Sequence, residues 1–295
     1  MVDSLLPTRA LRGHRIGISV SDSADLARLG LTPVHLKLAV RELARTVLVG
    51  GGTLAYGGHL KPGGFTEFLI GELGQYAGTG VLDADGVRQV ALLLCLSQQE
   101  HQKCSLTELQ ATDDDLGLYG ELRCLDLNGT VLVNRATGRG PDGKPYPTDK
   151  AVLAQGLSAM RQHMLDSTDA RMLIGGRRHG YSGAMPGLYE EALLTLQAGQ
   201  PMYLAAGFGG ATLDLAGTID ARCAGLCARH ADDPPLESGA STGLAAFSSL
   251  IGNAGWARLD NGLSDDENLH LATTHRPAEI ASLVGLGLGR WAARS

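Results

Sequence analysis

The sequence predicts an α/β protein with a Rossmann-like three-layer fold, in which helices cover both faces of a mainly parallel sheet. Segments with strand and helix patterns alternate along the chain, as they do where helices connect parallel strands. The strands read as continuous apolar runs, which is typical of a sheet buried on both faces. Hydrophobic residues make up 44% of the 295 residues and aromatic ones only 4%, so the core must consist of small aliphatic side chains.

The first part of the chain reads as three strands separated by two helices. Residues 15–20 (RIGISV) predict a strand, which the polar loop SDSAD follows. Apolar residues at helical spacing predict a helix over 34–46. Residues 46–49 (TVLV) then predict a second strand that runs into three consecutive glycines. A helix over 65–75 and a buried strand over 89–96 complete this part.

The segment from 98 to 149 has no clear pattern, and we interpret it as an irregular insertion. It contains the acidic run 113–115 and the Gly/Pro-rich stretch GRGPDGKPYP. Three consecutive carboxylates could bind a metal ion, but they are more typical of a solvated turn. We therefore expect a turn here, and the segment is a candidate interaction loop.

Regular patterns return after this segment. Apolar residues at helical spacing predict a helix over 153–164, and residues 171–174 predict a strand that ends in a pair of glycines. Residues 187–198 predict the next helix, and residues 202–205 predict a strand that ends in GFGG.

The C-terminal part, about 215–295, reads as mainly helical, so we predict one domain that spans residues 1–295. Residues 238–257 are uncharged and about as long as a membrane span. However, large apolar residues such as Leu244 and Phe247 recur there at helical spacing among small polar ones. This pattern predicts an amphipathic helix that packs on the domain.

Charge and cysteine content narrow the class of partner. The chain has 25 basic and 31 acidic residues, a net charge of −6, which predicts neither a nucleic-acid nor a membrane partner. Five cysteines without a Cys-x-x-Cys pair, and an N-terminus without a sustained apolar stretch, favour the cytoplasm. The histidines do not stand at metal-ligand spacing, and the common dinucleotide and P-loop motifs are missing. We therefore predict no metal and no resident cofactor.

Glycine clusters follow three of the predicted strands, in VLVGGGTLAYGG, MLIGG and MYLAAGFGG. The carboxyl ends of parallel strands share one edge of the sheet, where ligands bind. Glycine at that edge permits a positive φ and lets a phosphate approach main-chain N–H groups. Such clusters also fill tight turns. Three of them, together with the SDSAD loop, favour a nucleotide-binding edge.

Two further stretches are more specific. One is MRQHM at 160–164, followed by Asp-Ala at 169–170 and the strand MLIGG; the other is MPGLYEEAL at 185–193. Together they resemble the paired motifs of the Lonely Guy phosphoribohydrolases, an arginine-bearing helix and a glycine-rich loop that leads to a glutamate. Over residues 13–214 the chain resembles the SLOG superfamily. It looks most similar to the prokaryotic branch related to the cytosolic nucleotide-sensing domain of TRPM channels.

The resemblance implies a fold that binds a nucleotide, with two kinds of activity. Lonely Guy members cleave the N-glycosidic bond of a nucleoside monophosphate, whereas members near antiphage or channel modules sense NAD-derived or ADP-ribose-like ligands. Arg161 corresponds to the motif arginine, which would bind phosphate; otherwise it is a rim residue that extends to solvent. Glu191 corresponds to the glutamate that would be catalytic in a hydrolase. Glu190 flanks the apolar face of the same helix about equally, so the spacing does not choose between them.

Two departures weaken the resemblance to the hydrolases. The lysine that usually follows the motif arginine is Gln162, and the loop lacks the Gly-Thr of the hydrolase motif. Instead, residues 175–183 form a longer loop that carries Arg177 and Arg178. A longer, arginine-bearing loop suits a larger polyphosphate ligand.

Several other residues are candidates for contacts with the ligand. Asp22 and Ser23 could contact ribose or phosphate, or cap a helix. Tyr56 could stack on a base or anchor its loop, and Arg177 could pair with phosphate or stay solvated. The full predicted set at the ligand edge is Ser21, Asp22, Ser23, Gly51, Gly52, Thr53, Tyr56, Gly57, Arg161, Gly175, Gly176, Arg177, Gly183, Met185, Pro186, Gly187, Glu190, Glu191, Gly207, Phe208 and Gly209.

These observations leave three functional hypotheses. The first is a sensor that binds an NAD-derived or ADP-ribose-like nucleotide, forms a homo-oligomer and acts through assembly or a separate effector protein. The second is a nucleotide N-glycosidase in which Glu191 is catalytic and Arg161 binds phosphate. The third is an interaction protein whose fold mainly builds an oligomer.

Overall fold

In a computed structural model, which describes residues 6–7, 9–76, 90–133, 149–227 and 233–294, the fold is built on one six-stranded parallel sheet. The strands are β1 (Arg15–Ser21), β2 (Thr53–Gly57), β3 (Leu92–Leu96), β4 (Gly120–Cys124), β5 (Ala170–Gly175) and β6 (Met202–Ala205). Their order across the sheet is β4-β3-β2-β1-β5-β6, and every pair is parallel. The order reverses between β1 and β5, which is where Rossmann-like sheets bind ligands.

Helices cover both faces of this sheet, which confirms the predicted three-layer architecture. They are α1 (Pro33–Val49), α2 (Phe65–Tyr76), α3 (Gln98–His101), α4 (Leu106–Leu116), α5 (Lys150–Asp166), α6 (Gly187–Gln197), α7 (Gly210–Ile219), α8 (Ala221–Ala224), α9 (Ser238–Ile251), α10 (Asp265–Thr273) and α11 (Pro277–Ala292). On one face α1 packs against α2 and α11. On the other face α6 packs against α5, α7 and α9.

The two faces of β1 differ in character. Ile16 and Ile18 belong to the aliphatic core under α1 and α11. Gly17 and Ser19 alternate with them on the opposite face, where Ser19 meets α6 and Gly17 meets the Arg171 side chain of β5. A polar residue in a central buried strand needs a hydrogen-bond partner, so the second face must carry polar chemistry as well as a core.

The predicted strand over 46–49 is wrong, because these residues form the last turn of α1. The buried stripe of α1 continues through Leu43 and Val47, and burial of that stripe outweighs the strand preference of Thr-Val-Leu-Val. The following glycines then turn the chain into β2, and Gly51 has a φ of +80°. These glycines therefore precede a strand instead of ending one.

The described part of the segment predicted to be irregular contains regular elements. It contributes α3, α4 and the edge strand β4. Helix α4 begins at a capping box in which Ser105 and Glu108 each bind the other's backbone N–H. The acidic run 113–115 lies within α4 and not in a turn. The stretch GRGPDGKPYP falls outside the described residues.

The C-terminal helices follow the prediction closely. Residues 238–251 form α9, which buries Phe247 and Ile251 against the domain. In the ranges that the structure describes, the helices are all too short or too polar to span a bilayer.

Candidate functional site

A crevice of about 500 Å³ lies over the carboxyl ends of β1, β2, β3 and β5. It therefore includes the point where the strand order reverses, and its volume suits a small-molecule ligand. Its walls come from the loops after β1, β2 and β5 and from α5 and α6. The predicted residues that line it are Ser21, Asp22, Tyr56, Gly57, Arg161, Arg177, Gly187 and Glu191.

Other predicted residues lie elsewhere. Residues 51–53 stand at the amino end of β2, the opposite edge of the sheet, because the strand begins at Thr53. Residues 207–209 are packed between β6 and α7. A third group lies near the crevice without lining it, in the loops after β1 and β5, at the end of β5 and in α6: Ser23, Gly175, Gly176, Gly183, Met185, Pro186 and Glu190.

The glycines after β5 and β6 allow close packing of backbone on backbone. A Cβ atom at Gly207 would lie 1.9 Å from the Thr274 carbonyl oxygen, in the connection between α10 and α11. A Cβ at Gly210 would lie 2.3 Å from the carbonyl oxygen of Gly176, and both glycines have a positive φ. These glycines let α7 begin directly against the end of β5. Packing is therefore sufficient to explain their presence.

Four charged side chains form a cluster between β5, α5 and α6, which we call the buried charge cluster: Arg161, Arg171, Glu190 and Glu191. Arg171, on β5, donates from Nη1 to the Ser19 hydroxyl at 3.1 Å and to Glu191 Oε2 at 3.2 Å. Ser19 donates to the same carboxylate oxygen. Arg161 donates to Glu190, and its Nε lies 3.7 Å from Glu191 Oε1.

The cluster contains as many positive as negative charges, which is what allows it to be buried. Arg171 is only 2% exposed, and burial lowers the pKa of its guanidinium, while the charge of Glu191 counteracts this effect. Glu191 lines the crevice, whereas Glu190, which pairs with Arg161, does not. The two glutamates, which spacing could not distinguish, therefore have different positions.

Two glycines of the predicted loop make room for Arg161. A Cβ at Gly187 would lie 2.7 Å from Arg161 Nη2, and one at Gly183 would lie 3.2 Å from Nη1. The guanidinium thus lies against the first turn of α6, where the helix dipole opposes a positive charge. Glu190, in that same turn, and Glu191, the next residue of α6, compensate for it. The arginine and the Pro-Gly motif therefore belong to one packing unit.

A second ionic network holds the loop after β5. Asp25 is fully buried. Its carboxylate accepts hydrogen bonds from the Gly210 N–H, at 2.8 Å, and from the guanidinium groups of Arg28 and Arg178. Arg178 also donates two hydrogen bonds to Asp214, at 2.7 and 2.9 Å. Because Arg178 is already paired with Asp25 and Asp214, its role is to fix the loop. Arg177, the residue before it, lines the crevice.

Asp25 should make stability depend on pH. Burial raises the pKa of this carboxyl, but the bonds from Gly210 and Arg28 and the charge of Arg178 outweigh burial and hold it below the ordinary 3.8. A depressed pKa contributes stability above pH 3.8 that is lost as the pH falls below it. We expect Asp25→Asn to lower the free energy of unfolding by about 2 kcal/mol at pH 7 and by less below pH 3.8.

Urea denaturation of both proteins between pH 7 and pH 2.5 would measure this difference. The comparison is necessary because Asp220 and Glu279, whose pKa values are lowered to about 2, also contribute stability that falls at acidic pH in either protein. A difference that stays constant with pH would contradict the role given to Asp25.

Sequence reasoning missed several residues of the crevice. Lys37 comes from α1 and donates to the Gly63 carbonyl at 3.2 Å, while His59 and Lys61 come from the loop after β2. Burial lowers the pKa of His59. The segment GGHLKPGG, which follows β2, contains His59 and Lys61. The predicted strand over 46–49 ended before this segment, so the segment was not assigned to the edge of the sheet. Arg171 also went unnoticed, although a charged residue in an apolar strand signals a buried partner.

Tyr56 is 5% exposed, and its ring lies directly beneath Gly58, where a Cβ atom would come within 2.4 Å of Cε1. This burial fits the anchoring role better than stacking on a base. Burial, together with the charges of Glu191 and Asp22, raises the pKa of Tyr56, so its hydroxyl stays protonated. It can donate a hydrogen bond at neutral pH.

Comparison with protein families gives a match. The family model described as SLOG cluster2 matches residues 10–271. No curated protein and no solved structure matches the chain. The finer resemblance to the cytosolic domain of TRPM channels stays a prediction. Because the matched residues span most of the sequence and all six strands, the chain belongs to the SLOG superfamily, in the family SLOG cluster2.

Proposed function

We propose that the chain binds an NAD-derived or ADP-ribose-like nucleotide in the crevice and does not consume it. The observation that carries this proposal is the position of the crevice, over the carboxyl ends of the strands at the point where their order reverses. Membership of the SLOG superfamily is consistent with a nucleotide-related function.

The charges that line the crevice suit a diphosphate. Arg161 is already paired with Glu190, so it adds little charge for a ligand. Lys37 and Lys61 have no carboxylate partner among the residues that the structure describes, and Arg177 meets only the exposed Asp22. These three cations line the crevice and can bind phosphate oxygens.

The state of Glu191 favours binding over hydrolysis. A carboxylate that assists glycosidic cleavage must approach the ribose. Here Oε2 already accepts hydrogen bonds from Ser19 and Arg171. The carboxylate therefore serves first as the counter-ion of a buried arginine.

Isothermal titration calorimetry with ADP-ribose, NAD, AMP and ribose 5-phosphate tests the proposal. We expect ADP-ribose to bind, and Lys61→Gln to weaken it about five-fold without changing stability, because Lys61 is exposed. Arg45→Gln, an exposed cation on α1 outside the crevice, is the matched control and should bind like the wild type. Lack of binding by all four ligands would contradict the proposal.

One observation supports the alternative of a nucleotide N-glycosidase. Arg161 and Glu191 both line the crevice, with 3.7 Å between Arg161 Nε and Glu191 Oε1, so a phosphate-binding and a catalytic group would be neighbours. Incubation with nucleoside monophosphates or NAD, followed by chromatography for free base, separates the two functions. Release of base that Glu191→Gln abolishes would establish the enzyme.

A further inference from the structure

The end of the crevice over β3 contains a buried polar group that none of the described residues satisfies. Gln99, in α3, lines the crevice and is 6% exposed. Its Oε1 atom is buried and accepts no hydrogen bond from the residues that the structure describes. An unsatisfied buried acceptor costs about 1–3 kcal/mol, so a group of this kind needs an explanation.

The surroundings of Gln99 suit a flat aromatic ring. Leu157 and Met160, from α5, line the same crevice and provide apolar surface. Gly57, at the end of β2, has no side chain, and a Cβ atom there would lie 3.0 Å from Met160 Cε. Thioether sulfur makes favourable contacts with aromatic rings. The β3 end thus offers apolar surface and one amide, beside the carboxylate of Glu100, which is paired with Lys103.

The opposite end of the crevice has different chemistry. Ser21 and Arg177 lie at the ends of β1 and β5, and the Arg177 backbone N–H donates to the Ser21 hydroxyl at 3.2 Å. Arg177 and Asp22 are both more than 60% exposed there. A ligand with an uncharged, flat end and an anionic end would therefore lie with the flat end over β3.

We propose that Gln99 recognises the adenine base of the bound nucleotide. A glutamine amide pairs with adenine through two hydrogen bonds: its oxygen accepts from the 6-amino group, and its nitrogen donates to a ring nitrogen. The first of these bonds satisfies Oε1. This inference rests on the proposed function, since it assigns a base to the same crevice.

Calorimetry with three ligands tests the inference: ADP-ribose, its analogue in which purine without the 6-amino group replaces adenine, and ribose 5-phosphate. We expect the wild type to bind ADP-ribose about ten-fold more tightly than the purine analogue. Gln99→Met should remove this difference and change binding of ribose 5-phosphate by less than about two-fold.

Gln98→Met is the matched control, because Gln98 is 3% exposed in the same short helix but does not line the crevice. It should keep the preference for ADP-ribose. If Gln99→Met fails to fold, the affinities of the wild type for ADP-ribose and for the purine analogue still test the inference. Equal affinity of the wild type for both analogues would overturn the inference and leave the proposed function intact. Absence of binding by all three ligands would overturn the inference, and the proposed function would fall with it if NAD and AMP also failed to bind.

Discussion

Replacing Arg171 with leucine is expected to lower the free energy of unfolding by about 4 kcal/mol. Arg171 is the fully buried cation of the charge cluster, and its Nη1 atom holds both Ser19 and Glu191. Leucine fills much of the volume of the arginine side chain. However, it removes a positive charge that compensates for the negative charge of Glu191 in a site of low polarity. Urea denaturation followed by circular dichroism would measure the change.

The double variant separates charge from packing. Glu191→Leu alone should also destabilise the protein, whereas Arg171→Leu combined with Glu191→Leu should cost less than the sum of the single changes, because no charge of this pair is left alone. Arg45→Leu, an exposed arginine paired with Glu42 on α1, is the control and should cost less than about 1 kcal/mol. Additive effects of the two leucines would contradict a coupled buried pair.

Replacing Gly207 with alanine is expected to lower the free energy of unfolding by about 3 kcal/mol, although it adds only one methyl group. The new Cβ would lie 1.9 Å from the Thr274 carbonyl oxygen, and its carbon and the nitrogen of His275 are also within 3.0 Å. These are backbone atoms, so a rotamer change cannot relieve the contact. Thermal and urea denaturation would measure the loss.

Gly71→Ala is the matched control. Gly71 lies inside α2, and a Cβ atom there meets nothing within 4 Å. Alanine at that position should stabilise the protein by about 0.5–1 kcal/mol, because it favours the helix more than glycine does. If Gly207→Ala folded with normal stability but lost ligand binding, the original prediction that residues 207–209 bind the ligand would be correct.

The fold was largely predictable because the strands and the helices of this protein have different patterns of apolar residues. Strands β1, β5 and β6 are short apolar runs beside glycine, and α5 and α6 repeat apolar residues at helical spacing. The element over 46–49 was not predictable from its own residues. Thr-Val-Leu-Val favours a strand locally, and only the packing of α1 against α11 makes it helical.

The site was predictable only in part. The end of β1, Arg161, Arg177 and Glu191 do meet at the crevice, because parallel strands bring their carboxyl ends together. The role of glycine was the least predictable feature. A sequence cannot show whether the space beside a glycine is open to a ligand or filled by Thr274 or Arg161. The four-residue helix that holds Gln99 was also too short to leave a periodic signal.

Because the buried charge cluster is neutral, the affinity of this crevice for an anion should depend on the salt concentration. Arg161 and Arg171 are already matched by carboxylates, so a phosphate meets mainly Lys37, Lys61 and Arg177. The Arg177 side chain is 64% exposed, and Lys61 is exposed as well. Attraction between such groups and a phosphate is weakened by dissolved ions, whose screening distance is about 8 Å at physiological ionic strength. The affinity of the crevice for a phosphate-bearing ligand should therefore fall as the ionic strength rises.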